Sequence, residues 1–266
     1  MNKLLVVVFD DETAADAGLK ALRALHAAGD LTLYASGVIV RDAQGVVSVR
    51  KPLDPAPSGT ATGLAVGSLI GLLGGPVGLA VGAVAGTVVG AIRDFWAAGV
   101  GLDFIDEAGK MLLPGKVALL AEVEEEWVVP VDLALEAAGG HVFRRSRSEL
   151  AEAQFDHDIT VARAEIEALD DEARHAAGAA SAQLAARLAA AKVRLDTAVQ
   201  HAQQRVDALK QEADAKASAL QLQLSQAQGD AQDRIAHRMK RVTSGYHARG
   251  AKLSRAWALT KEALTA

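Results

Sequence analysis

From Pro55 to Ile92 the chain carries no charged residue, and its glycines recur at a fixed spacing. Gly59, Gly63, Gly67 and Gly71 form one series of fours, and Gly78, Gly82, Gly86 and Gly90 form a second. Gly74-Gly75-Pro76 lies between them. A step of four keeps residues along one helical face, and a face of glycines lets a second backbone approach with no side chains between. Gly-Gly-Pro stops a helix and turns the chain. The segment reads as a helical hairpin with a glycine seam on each arm, a packing device that lipid, other copies or the rest of the chain must shelter.

Each arm has about 16 residues, roughly 24 Å of helix, against a hydrocarbon core about 30 Å thick that usually takes about 20 residues. The arms are short for full spans, though local thinning or a re-entrant path accommodates them. Arg50 and Lys51 precede the first arm, Arg93 ends the second, and Phe95 and Trp96 follow as membrane-interface anchors. Basic residues at both ends keep the soluble parts on the cytoplasmic side. The competing reading is a dry seam in a homo-oligomeric shell that never meets lipid.

The hairpin interrupts two similar units. Lys3 to Phe9 is a short β-branched run that reads as a buried strand. Asp10-Asp11-Glu12-Thr13 suits a helix start, where free N–H groups favour acids. Leu19, Leu22 and Leu25 carry helical spacing up to Gly29, then Tyr34 to Arg41 and Val46 to Arg50 read as strands of a hairpin. The second unit repeats the order. Lys116 to Val123 is a strand, Glu124-Glu125-Glu126 an acidic helix start, Leu133, Leu135 and Ala138 a helix up to Gly139-Gly140, and His141 to Arg145 the last strand. Two βαβ halves predict a four-stranded antiparallel sheet with two helices on one face, an α+β ferredoxin-like sandwich formed by residues 1–54 and 100–146 around the inserted hairpin of 55–99.

Residues 147–266 form a helical, coiled-coil extension. Apolar positions step by three and four from Phe155 through Leu184, Leu195, Leu209, Leu220, Ile235 and Val242, with no proline after Pro130. The steps recur every 11 residues, a period that winds nearly straight or slightly right-handed. One continuous helix of about 90 residues is expected, roughly 140 Å long. Its end is basic: Arg234, Arg238, Lys240, Arg241, Arg249, Lys252 and Arg255 suit anionic lipid, a protein partner or open solvent.

Composition narrows the function. Half the chain is apolar yet only 4% is aromatic, so small residues dominate and backbones pack closely. With no cysteine, thiol chemistry and disulfides are excluded. A net charge of −5 makes nucleic acid an unlikely partner. Only six apolar residues precede Asp10, too few for a secretory signal, and the bulk of the chain is expected in the cytoplasm. His26, His141, His157, His175, His201, His237 and His247 show no ligand spacing, Ser58 and Ser68 have no evident base, and Gly74-Gly75-Pro76-Val77-Gly78 lacks the Lys-Ser of a phosphate loop. No catalytic, cofactor or metal constellation emerges.

Several stretches carry a family resemblance. They are Val8-Phe9-Asp10-Asp11-Glu12-Thr13-Ala14, Ala35 to Asp42, Ile70-Gly71-Leu72-Leu73-Gly74-Gly75-Pro76, Asp103-Phe104-Ile105 and Leu113-Pro114-Gly115-Lys116-Val117-Ala118. On them, residues 1 to about 146 resemble a bacterial family described as predicted membrane proteins of unknown function (domain of unknown function family 1269). The resemblance implies membrane association, supplies no catalytic residues, and does not reach the extension.

The function expected is therefore that of a non-enzymatic, self-assembling structural protein, associated with the cytoplasmic face of the inner membrane through its zipper. Its partners are itself and the lipid bilayer. The alternative is a soluble homo-oligomer (ring, cage or filament) with zippers as a protein-only inner layer. An enzyme or small-ligand regulator built on the α+β domain is a third class, open only because such folds host many functions.

Overall fold

The computed structural model describes residues 2–51, 102–146 and 179–265, with residues 66, 69, 70, 73, 164, 167–169, 171, 172 and 174 besides. The elements run β1 (Asn2–Phe9), α1 (Glu12–Ala27), β2 (Leu31–Arg41), β3 (Val47–Lys51), α2 (Leu102–Met111), β4 (Val117–Glu125), α3 (Val128–Ala137), β5 (His141–Ser146), α4 (Ala179–Gln226) and α5 (Asp230–Thr265). They fall into two compact units, one of Met1–Ala151 with Gln211–Ser244, the other of Glu152–Lys210 with Gly245–Ala266.

The first unit is built on a mixed α+β plan. Its sheet has five strands in the order β3-β2-β4-β1-β5, every pairing antiparallel. The fifth strand is β3, which joins the sheet at its edge where four strands were expected. Strands β1 and β4 lie in the middle and are covered on both sides, which is why both read as nearly unbroken apolar runs.

Successive side chains alternate between faces. Leu5, Val7 and Phe9 of β1 share one face with Leu119, Ala121 and Val123 of β4. Ala15, Leu19 and Leu22 of α1 cover it, together with Val131 and Leu135 of α3. Asp11 caps α1 by accepting the Ala14 N–H at 2.8 Å, as the acidic start implied.

On the opposite face, Leu4, Val6, Val8, Ala118 and Leu120 pack under Phe104, Ala108 and Leu112, which belong to or directly follow α2. Helix α2 was not anticipated: it is short and follows the insertion without a capping signal. Four residues of the insertion's first arm join this layer. Val66, Leu69, Ile70 and Leu73 are helical; the first three are buried in the same cluster, and Leu73 packs against it.

Among the described residues, the C-terminal extension does not run as one continuous helix. Gln226 ends α4, and α5 begins at Asp230. Between them Gly229 has φ +58, a left-handed backbone that an L side chain resists. The chain reverses here, because Gln223 and Arg238 reach the same Thr32 hydroxyl at 2.7 and 3.2 Å. Along one uninterrupted helix those residues would stand roughly 20 Å apart. The apolar stripe does turn inward: Leu220, Ile235 and Val242 are buried.

In the second unit, α4 before Gln211 and α5 after Ser244 are solvated helices with few buried side chains among the described residues. Ala191 and Tyr246 are buried, and the Arg249 guanidinium lies 4.2 Å from the Tyr246 ring.

Candidate functional site

The face that carries Leu4 and Leu120 changes character toward one end of the strands. Asn2 pairs with Glu124 and Leu4 with Glu122 across β1 and β4, while Thr32 on β2 pairs with Glu124 on its other side. Asn2, Thr32, Glu122 and Glu124 therefore continue the apolar face as a polar, acidic half, and all four are buried. A bulge between Leu33 and Ala35 leaves Tyr34 as an extra residue in β2. The apolar half takes Val66, Leu69, Ile70 and Leu73 of the insertion, and α2. The acidic half takes the tip of the C-terminal helical hairpin.

Buried polar groups from both sides meet in that contact, beside the buried Leu220 and Ile235. Lys216 of α4 has no exposed side-chain surface, and its Nζ lies 2.7 Å from Glu122 Oε1, 2.9 Å from Glu212 Oε1 and 4.8 Å from the centre of the Tyr34 ring. Asn2 Nδ2 donates to the same Glu122 oxygen at 3.0 Å. Burying an ion costs several kcal/mol unless partners replace its water, so these groups hold one another in place.

Gln223 bridges the α1–β2 turn. Its Nε2 donates to the His26 and Leu31 carbonyls at 2.6 and 2.9 Å, and its Oε1 accepts the Thr32 hydroxyl. Arg238 of α5 is 1% exposed and donates to Gly29 O and Asp30 O at 2.9 Å each, and to Thr32. Burial pulls its guanidinium below the ordinary arginine range, with Tyr34, Glu124 and Glu126 opposing. Arg234 donates to Ala28 O at 2.7 Å, and Arg241 pairs with Glu126 at 2.7 Å. Both helices of the hairpin thus grip one turn and one strand end.

His26 sits at the end of α1 beneath this grip. Its Nδ1 accepts the Leu33 N–H at 3.2 Å. Burial, together with the positive charge of Arg238, holds the imidazole below its ordinary value.

The acidic triplet at the end of β4 is not the helix start expected of it. Glu124 and Glu125 belong to the strand and are buried on opposite faces. Glu125 Oε1 meets Arg144 Nε at 2.6 Å, and Arg144 Nη2 meets Asp132 Oδ1 at 2.6 Å. Burial pushes the Glu125 carboxyl up despite Arg144, whereas Asp132 and Glu125 outweigh the desolvation of Arg144 and raise it. The other acidic cluster does start a helix, as expected. Asp11 caps α1, Glu12 pairs with Arg50 at 2.8 Å, and Asp10 pairs with Lys116.

A shallow, open hollow on the same unit is lined by Asp106, Glu107, Lys110, Met111, His141 and Phe143. Lys110 is engaged by Asp106 at 2.6 Å, and the His141 ring meets Phe143 edge-on at 4.9 Å between centroids. Among the described residues, no group of three or more His, Asp or Glu could hold a metal ion, and no helix is long and apolar enough to cross a membrane.

Of the sequence-predicted site residues, Gly59, Gly63, Gly67, Gly71, Gly78, Gly82, Gly86, Gly90, the turn Gly74-Gly75-Pro76 and the anchors Arg93, Phe95 and Trp96 lie outside the described residues. The basic tail divides. Arg234, Arg238 and Arg241 turn onto the sheet unit, while Lys240, Lys252 and Arg255 are exposed. Sequence reasoning missed Glu122, Lys216, Gln223 and His26. A signal existed: Lys216 and Gln223 occupy stripe positions among Ala213, Leu220 and Leu224, where a buried stripe takes polar groups only if partners await them.

An α+β sheet protein strapped by its own C-terminal helices is the class this architecture defines. Residues 58–160 match the model of a family described as "Protein of unknown function (DUF1269)". The match takes in most of the insertion with α2, β4, α3 and β5; it is the family expected from the motifs, but it begins at residue 58 where the resemblance was expected from residue 1, and so leaves out Val8–Ala14 and Ala35–Asp42. No curated protein and no solved structure matches the chain.

Proposed function

We propose that this protein is non-enzymatic and works by self-association, with the glycine-bearing insertion as the seam between copies. One observation carries the reading. Val66, Leu69, Ile70 and Leu73 give their aliphatic side to the sheet and α2. On an ideal helix of about 100° per residue, sequence positions 67 and 71 would fall about 110° and about 150° from the centre of that aliphatic side. A rod with its aliphatic stripe already satisfied has its glycine stripe left for another helix. This favours a protein-only seam over burial of the whole arm in lipid. The ferredoxin-like reading of the domain is supported by the strand order β2-β4-β1-β5, with α1 and α3 together on one face and β3 as an added edge.

Contact with the cytoplasmic face of a membrane is the second reading, favoured by the charge-free run between Lys51 and Arg93 and by Phe95 and Trp96 beyond it. Gly67→Leu and Gly82→Leu separate the two. Sedimentation of the full chain should show a large particle that both substitutions reduce to smaller species, without detergent. Flotation with liposomes that survives both substitutions would turn the proposal toward lipid. Unchanged particle size in both variants would end the zipper role.

A further inference from the structure

The hairpin tip is held to the sheet unit by buried ions and hydrogen bonds, a kind of seam that a single proton can unbalance. We propose that Gln211–Ser244 is an acid-released strap: protonation of the His26 ring nitrogen that accepts the Leu33 amide undocks the strap from the acidic half of the sheet.

The geometry supplies the trigger. His26 Nδ1 is an acceptor, 3.2 Å from Leu33 N. A proton there replaces acceptor with donor and sets two N–H groups against each other. The same residue's carbonyl takes Gln223 Nε2 at 2.6 Å, so any shift of the α1 end is felt directly by α4. From α5, Arg238 is fixed on Gly29 O and Asp30 O within the adjoining turn, and Arg234 on Ala28 O. An imidazolium therefore forms beside guanidinium charge. The only carboxylate described in that turn is Asp30, which lies 3.6 Å from Arg234 Nε. The group facing His26 from α4, Gln223, is neutral. His237 of α5 is exposed, and Glu124 and Glu126 of β4 lie toward Arg238 and Arg241.

The sign follows from linkage. The docked state disfavours the charged ring, through burial first and Arg238 second, against a hydrogen bond to the Leu31 backbone that favours it. Docking is therefore complete above the ordinary histidine value of 6.5 and weakens as pH falls through it. Each unit by which docking displaces the ring's titration changes the docking constant about tenfold.

The test uses the full chain and backbone hydrogen exchange at about pH 7.5 and about pH 5.5, each amide referred to its intrinsic rate at that pH. Protection within Gln211–Ser244 should fall about tenfold at the lower pH while β1 and β4 keep theirs, and His26→Gln should remove the difference. A strap equally protected at both values, a loss shared equally by strap and sheet, or an undiminished difference in His26→Gln overturns the proposal. Should His26→Gln undock at every pH, ring titration by NMR decides. The His26 midpoint should lie lower in the parent than in Lys216→Ala, whose strap is loosened from the other end; equal midpoints refute the coupling.

Discussion

The ammonium of Lys216 lies 2.7 Å from Oε1 of Glu122, and neither side chain has exposed surface. One comes from the middle strand of a sheet and the other from a helix that sequence reasoning assigns to a separate extension. A buried pair is weak as a source of stability but severe when broken, because the survivor keeps its charge without its partner.

Lys216→Met should therefore cost about 3–5 kcal/mol in urea denaturation, as lost global stability or as an earlier strap transition. The double variant with Glu122→Gln, which keeps the Asn2 bond, should recover much of that loss. Equal losses in the single and double variants would mean that the pair does not act as a unit.

Gly140 has no room for a side chain. A Cβ there would stand 2.6 Å from Val7 Cγ1 and 2.7 Å from Phe9 Cε1, and Gly18 approaches the same Phe9 ring from α1. Gly140→Ala should destabilise by about 1–3 kcal/mol, and Phe9→Leu in the same chain should relieve part of it. Thermal melts of the two variants check this, and a Gly140→Ala chain as stable as the parent would exclude the contact.

Burial raises the Glu125 carboxyl above its ordinary 4.5 even with Arg144 beside it. The folded chain thus holds this proton more tightly than the unfolded one, so the group's favourable contribution is present below 4.5 and lost as pH rises through the raised value. Glu125→Gln does not titrate. Its stability relative to the parent should rise from about pH 4 to about pH 7 in urea titrations, and a relative fall would show that Arg144 outweighs burial.

Leu69 is fully buried between the sheet and α2. Leu69→Ala should cost about 2–5 kcal/mol by urea denaturation if the first arm is part of the domain core. A loss near zero would mean that the arm leaves the sheet in solution, and would remove the observation behind the proposed seam.

The strands and α1 were legible because their signals are local. Leu4 to Phe9 has the length and β-branching of a strand between two covered faces, and Asp11 precedes its helix in capping position. Helix α2 lacked such signals: Phe104, Ala108 and Leu112 mean little until a sheet face is there to receive them. The break after Gln226 was hidden because the helical stripe resumes beyond Gly229 with little phase disturbance, and a lone glycine is tolerated within helices. The polar seam was least visible. Glu122 and Lys216 each look solvated in their own segment, and only their meeting removes water from both.

By itself the sequence determined the strands and α1, which of their faces are apolar, and that an uncharged, glycine-rich segment divides the domain, since periodicity and turn chemistry act over a few residues. Tertiary structure alone decided that the sheet's second face is shared, aliphatic insertion on one half and charged hairpin on the other. The reason is physical: a buried charge is tolerable only opposite its partner, and partners distant in sequence become neighbours only when the strands and helices have packed.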